Sequence, residues 1–128
     1  MRDLTRLLAE ASPRLHPRAV AVVGLDGFAM PPALPVEAVL ATVREAEGLT
    51  LYVDLAAAQA AGLPVAFRAA WITMTVESAL DAVGFTAAFA AALARASIAC
   101  NVVAGARHDH LFVPFDEAEA AMAAMRKL

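Results

Sequence analysis

Cysteine, tryptophan and tyrosine each occur once among the 128 residues. A lone Cys100 excludes an internal disulfide and a thiolate metal cluster, and it suits a reducing compartment. Long hydrophobic runs are missing too. The longest stretches without a charged side chain, Leu55–Phe67 and Ala82–Ala94, hold 13 residues each, whereas a bilayer-spanning helix needs about 18 or more. Arg2, Asp3, Arg6, Glu10 and Arg14 break up the start of the chain, so no secretory core is expected there. There is no basic run, and the net charge is −3, which argues against nucleic acid and anionic membrane as partners. Phosphate-loop and dinucleotide fingerprints are absent, and Ser78 and Ser97 lack the glycines of a nucleophile elbow. What is abundant is alanine, 34 residues of it; the other apolar residues make up about a third of the chain, an ordinary globular core. The expectation is a small, soluble, cytoplasmic domain protein.

Periodicity orders the elements. Leu4, Leu7, Leu8 and Ala11 predict a helix over Asp3–Ala11, stopped by Ser12-Pro13. Arg18–Leu25 reads as a strand, and Phe28–Val36, with three prolines, as a stiff loop. Val39–Glu45 and Leu49–Asp54 alternate around Ala46-Glu47-Gly48 as a β-hairpin, with Val39, Ala41 and Val43 on one face. Asp54 is placed to cap a helix over Leu55–Ala61, with Gly62 as its left-handed stop. Gly62–Arg68 is then a short bend. In the second half Ala70–Val76 predicts a strand, with Trp71 in the core, and Gly84–Ala96 a helix. Ile98–Gly105 and His110–Phe115 predict two more strands, joined by a turn over Ala106–Asp109 and ending at or near Pro114. Asp116 and Glu119 have capping-box spacing for a last helix lined by Ala118, Ala121, Met122 and Met125. The order α-β-β-β-α then β-α-β-β-α fits an α+β fold, antiparallel sheet covered by helices on one face, with the halves sharing a core or a continuous sheet.

Residues Trp71 to Val103 carry a resemblance. A hydrophobic strand is followed by Asp81-Ala82-Val83-Gly84, an apolar helix, and Leu93-Ala94-Arg95-Ala96-Ser97-Ile98 leading into the next strand. This resembles the ACT domain, a βαββαβ module whose signature is Asp-x-x-Gly at the strand-to-helix loop and Leu-Ala-x-x-Gly-Ile after the helix. Ser97 departs from the signature glycine, which predicts a differently built turn into Ile98. Glu45–Thr50, Trp71-Ile72-Thr73, Val83-Gly84-Phe85, Asn101–Gly105 and His108–Leu111 make the whole chain similar to short stand-alone bacterial proteins with two ACT-like modules. The resemblance implies two ferredoxin-like modules, 1–66 and 67–128. It also implies a non-enzymatic protein that senses a small molecule, typically an amino acid, as a homodimer acting on a separate regulated enzyme, without a cofactor.

Within that reading the ligand residues are Asp81, Val83, Gly84, Phe85, Thr86, Asn101, Ala104, Gly105, His108 and His110. The first N–H groups of the Gly84–Ala96 helix lack internal partners and favour a carboxylate. Gly84 allows close approach, and Asp81 could accept an α-ammonium group. The plainer alternative is that Asp81 caps the helix and Gly84 relieves packing. His108-Asp109-His110 has three readings: a polar turn, a ligand contact, or part of a metal or enzyme centre drawing on Cys100. A protein whose module seam is merely filled by side chains, a dimerisation scaffold, is the remaining alternative.

Overall fold

The computed structural model describes residues 12–76 and 83–128; the helix expected over Asp3–Ala11 lies outside them. Two compact units are present. A contiguous unit spans Pro17–Ala69, and a split unit joins the described residues up to His16 with those from Ala70 to Leu128. Strand β5, Val65–Met74, contributes residues to both.

In the contiguous unit, β2 (Val20–Gly24), β3 (Val39–Arg44), β4 (Leu49–Asp54) and the start of β5 lie in the order β3-β4-β2-β5. All named pairings are antiparallel, with Val22 opposite both Tyr52 and Phe67. Leu49, Leu51 and Val53 alternate inward along β4 and pack with Ala21, Val23, Ala38, Leu55 and Ala58, as period-two patterning requires. The hairpin forms as expected, but a bulge between Val39 and Ala41 shifts its register. The extra residue inverts every later side chain. Thr42 therefore faces Leu51, and Val43, expected on the same face as Val39, is exposed. The turn closes on Gly48, at φ +155, where a β-carbon would sit 2.0 Å from the Leu25 carbonyl oxygen.

Helix α1 (Leu55–Ala60) is capped by Asp54, whose Oδ2 accepts from the Ala57 N–H at 3.1 Å. Gly62, at φ +68, ends it. The Leu63 N–H reaches the Ala58 carbonyl and the Gly62 N–H that of Gln59, both at 3.0 Å, the paired bonds of a Schellman stop. The expected bend is shorter than read, because Val65–Arg68 already belongs to β5.

The split unit contains β1 (Pro13–Leu15), the end of β5, β6 (Asn101–Ala104) and β7 (Asp109–Pro114), in the order β1-β5-β7-β6. Helices α2 (Phe85–Arg95) and α3 (Ala118–Met125) cover one face. Ala70, Ile72, Met74, Leu111 and Val113 meet Phe85, Phe89, Leu93, Ala121, Met122 and Met125 there. This is the expected α+β arrangement. Three local expectations change. Residues 13–15 continue past the predicted stop as β1, pairing Arg14 with Thr73 and Leu15 with Ile72. The capping box does not form: a 3-10 turn, Phe115–Glu117, precedes α3, whose N-cap is Glu117 without a side-chain cap bond. Finally, β6 starts only at Asn101, because Ile98 is drawn into the core as the anchor of the α2 stop.

That stop is built as a glycine would build it. Ser97 adopts φ +60, the Ile98 N–H bonds the Leu93 carbonyl and the Ser97 N–H that of Ala94, both at 2.9 Å. The differently built turn is therefore not observed. Burial of Ile98 against Leu93 offsets the cost of a left-handed serine.

Candidate functional site

The expected ligand residues fall in two places in the split unit. At the head of α2, Gly84 takes φ +88 and has no side chain with which to cap. The first intrahelical bond runs from the Ala88 N–H to the Gly84 carbonyl at 2.9 Å, so the Phe85, Thr86 and Ala87 amides are not used within the helix. Thr86 and Val83 are exposed. Phe85 turns inward, edge-on to Phe89 in the core. Asp81 lies outside the described residues.

The second place is the β6–β7 hairpin. Ala104 pairs with Asp109 and Val103 with His110. The Gly105 N–H bonds the His108 carbonyl at 2.9 Å. A β-carbon on Gly105 would stand 3.0 Å from that carbonyl oxygen and 3.3 Å from His110 Nε2. The fold thus brings Ala104, Gly105, His108 and His110 together. Asn101 sits at the other end of the ladder, opposite Phe112. It follows the C-terminal end of α2, eleven residues or about 16 Å of rise from Gly84.

Strand alternation separates the histidine cluster. Asp109, with Leu111 and Val113, belongs to the helix-covered side and is buried, while His110 takes the opposite side. Trp71 and Thr73 share that opposite side, since Ala70, Ile72 and Met74 supply the core. Trp71, expected in the core, instead lies half-buried with His16 stacked on it, ring centroids 3.5 Å apart and planes at 11°. The Trp71 Nε1–H donates to His110 Nδ1 at 3.1 Å. Thr73 Oγ1 lies 3.0 Å from the same Nδ1 and 2.7 Å from His16 Nε2.

An indole N–H can only donate, so His110 Nδ1 carries no hydrogen and its hydrogen is on Nε2. Thr73 then donates to Nδ1 and accepts from His16 Nε2–H. His110 is a neutral ring with neither nitrogen free as a metal donor. Among the described residues no three His, Cys, Asp or Glu side chains converge as metal ligands. Burial, reinforced by His108, lowers the His110 pKa below the usual histidine value, against the opposing pull of Asp109. Burial raises Asp109, against both histidines. His108 Nδ1 is buried without a hydrogen-bond partner among the described residues. Cys100 is half-buried, and burial pushes its thiol up to about 11, which keeps it protonated and unreactive near neutrality.

His16, Trp71 and Thr73 were not among the expected ligand residues. The i, i+2 spacing of Trp71 and Thr73 is visible in the sequence, but the β1–β5 pairing that adds His16 is not.

Two family models, each described as ACT domain, match the chain, one over residues 67–127 and the other over 1–70. A solved structure from Vibrio cholerae, described as a protein of unknown function and possible transport protein, is 42% identical. That match covers 95% of this chain and 92% of the other, with a TM-score of 0.82. An Agrobacterium tumefaciens protein shares the fold at 16% identity and TM-score 0.70, over 91% of this chain and 87% of its own. So does the ligand-free regulatory subunit of aspartate kinase from Thermus thermophilus, at 16% identity and TM-score 0.65, over 90% and 94%. Among curated proteins no sequence matches. No helix among the described residues is long and apolar enough to cross a membrane.

Proposed function

The chain belongs to the ACT-domain family, and on that footing we propose that it is a non-catalytic regulatory protein that binds a small molecule, an amino acid, and signals its occupancy in trans. The observation that carries this is the tandem ACT match, joined by a likeness in fold to an aspartate kinase regulatory subunit. In this reading modules 1–66 and 67–128 make up one chain, two such chains pair as a cytoplasmic homodimer, and the partner is a separate enzyme or regulator.

The head of α2 supports a carboxylate-bearing ligand. Its first amides are unspent within the helix, the dipole places partial positive charge there, and Gly84 presents bare backbone. Asp81, three residues earlier in the sequence, would take the ammonium group. Gly105, His108 and His110 would form another wall, with His110 Nε2–H as donor. Regulation then requires that the ligand prefer one of two arrangements of the protein, since equal affinity for both shifts nothing.

Thermal-shift screening against the twenty amino acids tests the reading. A ligand at one hundred times its Kd adds about 2.7 kcal/mol of stability, and Gly84→Val should abolish that shift. Silence across amino acids and simple organic acids overturns it.

A further inference from the structure

The relay joining His16, Thr73, His110 and Trp71 draws on three strands and is unexplained by ligand binding at α2. We propose that it is a proton-sensitive clasp holding β1 on the sheet of the split unit, closed while His110 is neutral and opened when His110 takes a proton. This inference goes beyond the ligand reading and stands whether or not an amino acid binds.

The mechanism lies in the direction of the bonds. His110 Nδ1 is the acceptor of both the Trp71 indole N–H and the Thr73 hydroxyl. Protonation places a hydrogen on that nitrogen. Thr73 can adapt, because a hydroxyl rotates and can accept as well as donate. The indole cannot, and an N–H facing an N–H at 3.1 Å is repulsive. Trp71 must turn, and His16, stacked on it, loses its surface.

Beyond the clasp, β1 is held by Leu15, which packs against the core of the split unit beside α3. The strand is three residues long and begins with Pro13, which has no N–H to give. Its polar anchors among the described residues include the His16 N–H to the Trp71 carbonyl at 2.9 Å, the β5 register pairs, and the Thr75 amide and hydroxyl to the Ser12 carbonyl at 3.0 and 2.8 Å. The first of these moves with Trp71.

The charges around His110 set where the clasp opens. From β1 comes Arg14, opposite Thr73, and from just after it His16. The turn and β7 contribute His108 and Asp109. β5 presents the uncharged Trp71 and Thr73, and β6 presents Val103. Among the described residues Asp109 alone favours a cation here, and burial with His108 outweighs it, so opening belongs below the ordinary histidine range.

Trp71 is the sole tryptophan, so its indole N–H is a unique nitrogen-15 NMR signal in the full chain. On titration from pH 8 to 5, that signal should shift together with the His110 ring nitrogens, with a midpoint below 6.5. Protection factors of the His16 and Thr75 amides should fall about tenfold or more across the same step. In His110→Asn the Oδ1 stands where Nδ1 stood and does not titrate, so indole signal and protection should stay constant. His110 titrating without movement of the indole signal or loss of protection overturns the clasp. So does the same loss in His110→Asn. Should that variant not fold, the wild-type titration alone decides.

Discussion

The two units stop their helices with the same device and use their sheets differently. In the contiguous unit α1 ends on Gly62, in the split unit α2 ends on Ser97; both residues are left-handed and both close the same pair of backbone bonds. The contiguous unit meets its backbone demands with local residues: Asp54 caps three residues on, and Gly48 closes a hairpin. The split unit builds its polar relay from partners 37 and 57 residues apart. Both sheets pair strands distant in sequence, but the contiguous unit closes its cap and hairpin with near neighbours while the split unit's polar relay draws on residues far apart.

The largest effect that would probe this contrast is at Gly48. A β-carbon there meets the Leu25 carbonyl oxygen at 2.0 Å and the Gly27 nitrogen at 2.6 Å, all backbone that cannot swing aside. Gly48→Ala should cost on the order of 3 kcal/mol or more, measured by urea denaturation. A loss under about 1 kcal/mol would mean that the turn is not what shapes the contiguous unit.

Next comes Thr73, whose hydroxyl lies between two imidazoles and is 8% exposed. Thr73→Val keeps the volume and removes the hydroxyl that links the two imidazoles. The expected cost is about 2 kcal/mol, accompanied by a change in Trp71 emission at constant far-UV circular dichroism. Unchanged emission would show that the relay does not hold the indole.

Much of the fold was legible because the signals were local. Alternation along β4, the Asp54 cap and the Gly62 stop each involve residues a few positions apart. The bulge in β3 was not, since nothing in Val39–Arg44 announces which residue is extra; the sheet partner decides. Of the site, Gly84 and the Gly105–His110 turn could be read from glycine placement and histidine spacing. The role of Trp71 could not. An aromatic in a β-branched strand reads as core, and only the phase of β5, set by Ile72 and Met74 packing under α2, turns it to the opposite side. His16 could not be placed beside Trp71 from the sequence, because Pro13 hides the β1 strand that leads to it.

The helix stops give a smaller and sharper comparison. Ser97→Gly should stabilise the protein by about 1 kcal/mol, and Gly62→Ala should destabilise it by a similar amount. Nothing crowds a β-carbon at Gly62, so backbone conformation alone is read there. Opposite signs in matched urea melts support the equivalence of the two stops. A neutral Ser97→Gly would mean that the serine side chain recovers what the glycine offers.

The smallest expected effect lies in the alkaline range and separates two titrating groups within the split unit. Cys100 packs at the margin of the split unit's core, and its thiol is raised from 9.0 to about 11 by burial. Folding therefore favours the protonated thiol. Its contribution is complete below pH 9 and is lost as the pH rises towards 11. The site is only half-buried, so water screens much of this and the slope should be shallow. His110 works at the other end: its lowered value means that the unfolded chain binds the proton more readily, so stability drains away as the pH falls below 6.5. Cys100→Ala should flatten the decline between pH 9 and 11 without touching the acid limb, and His110→Asn should do the reverse. If either substitution altered both limbs, Cys100 and His110 would not be acting as separate titrating groups, and the acid sensitivity could no longer be assigned to the relay alone.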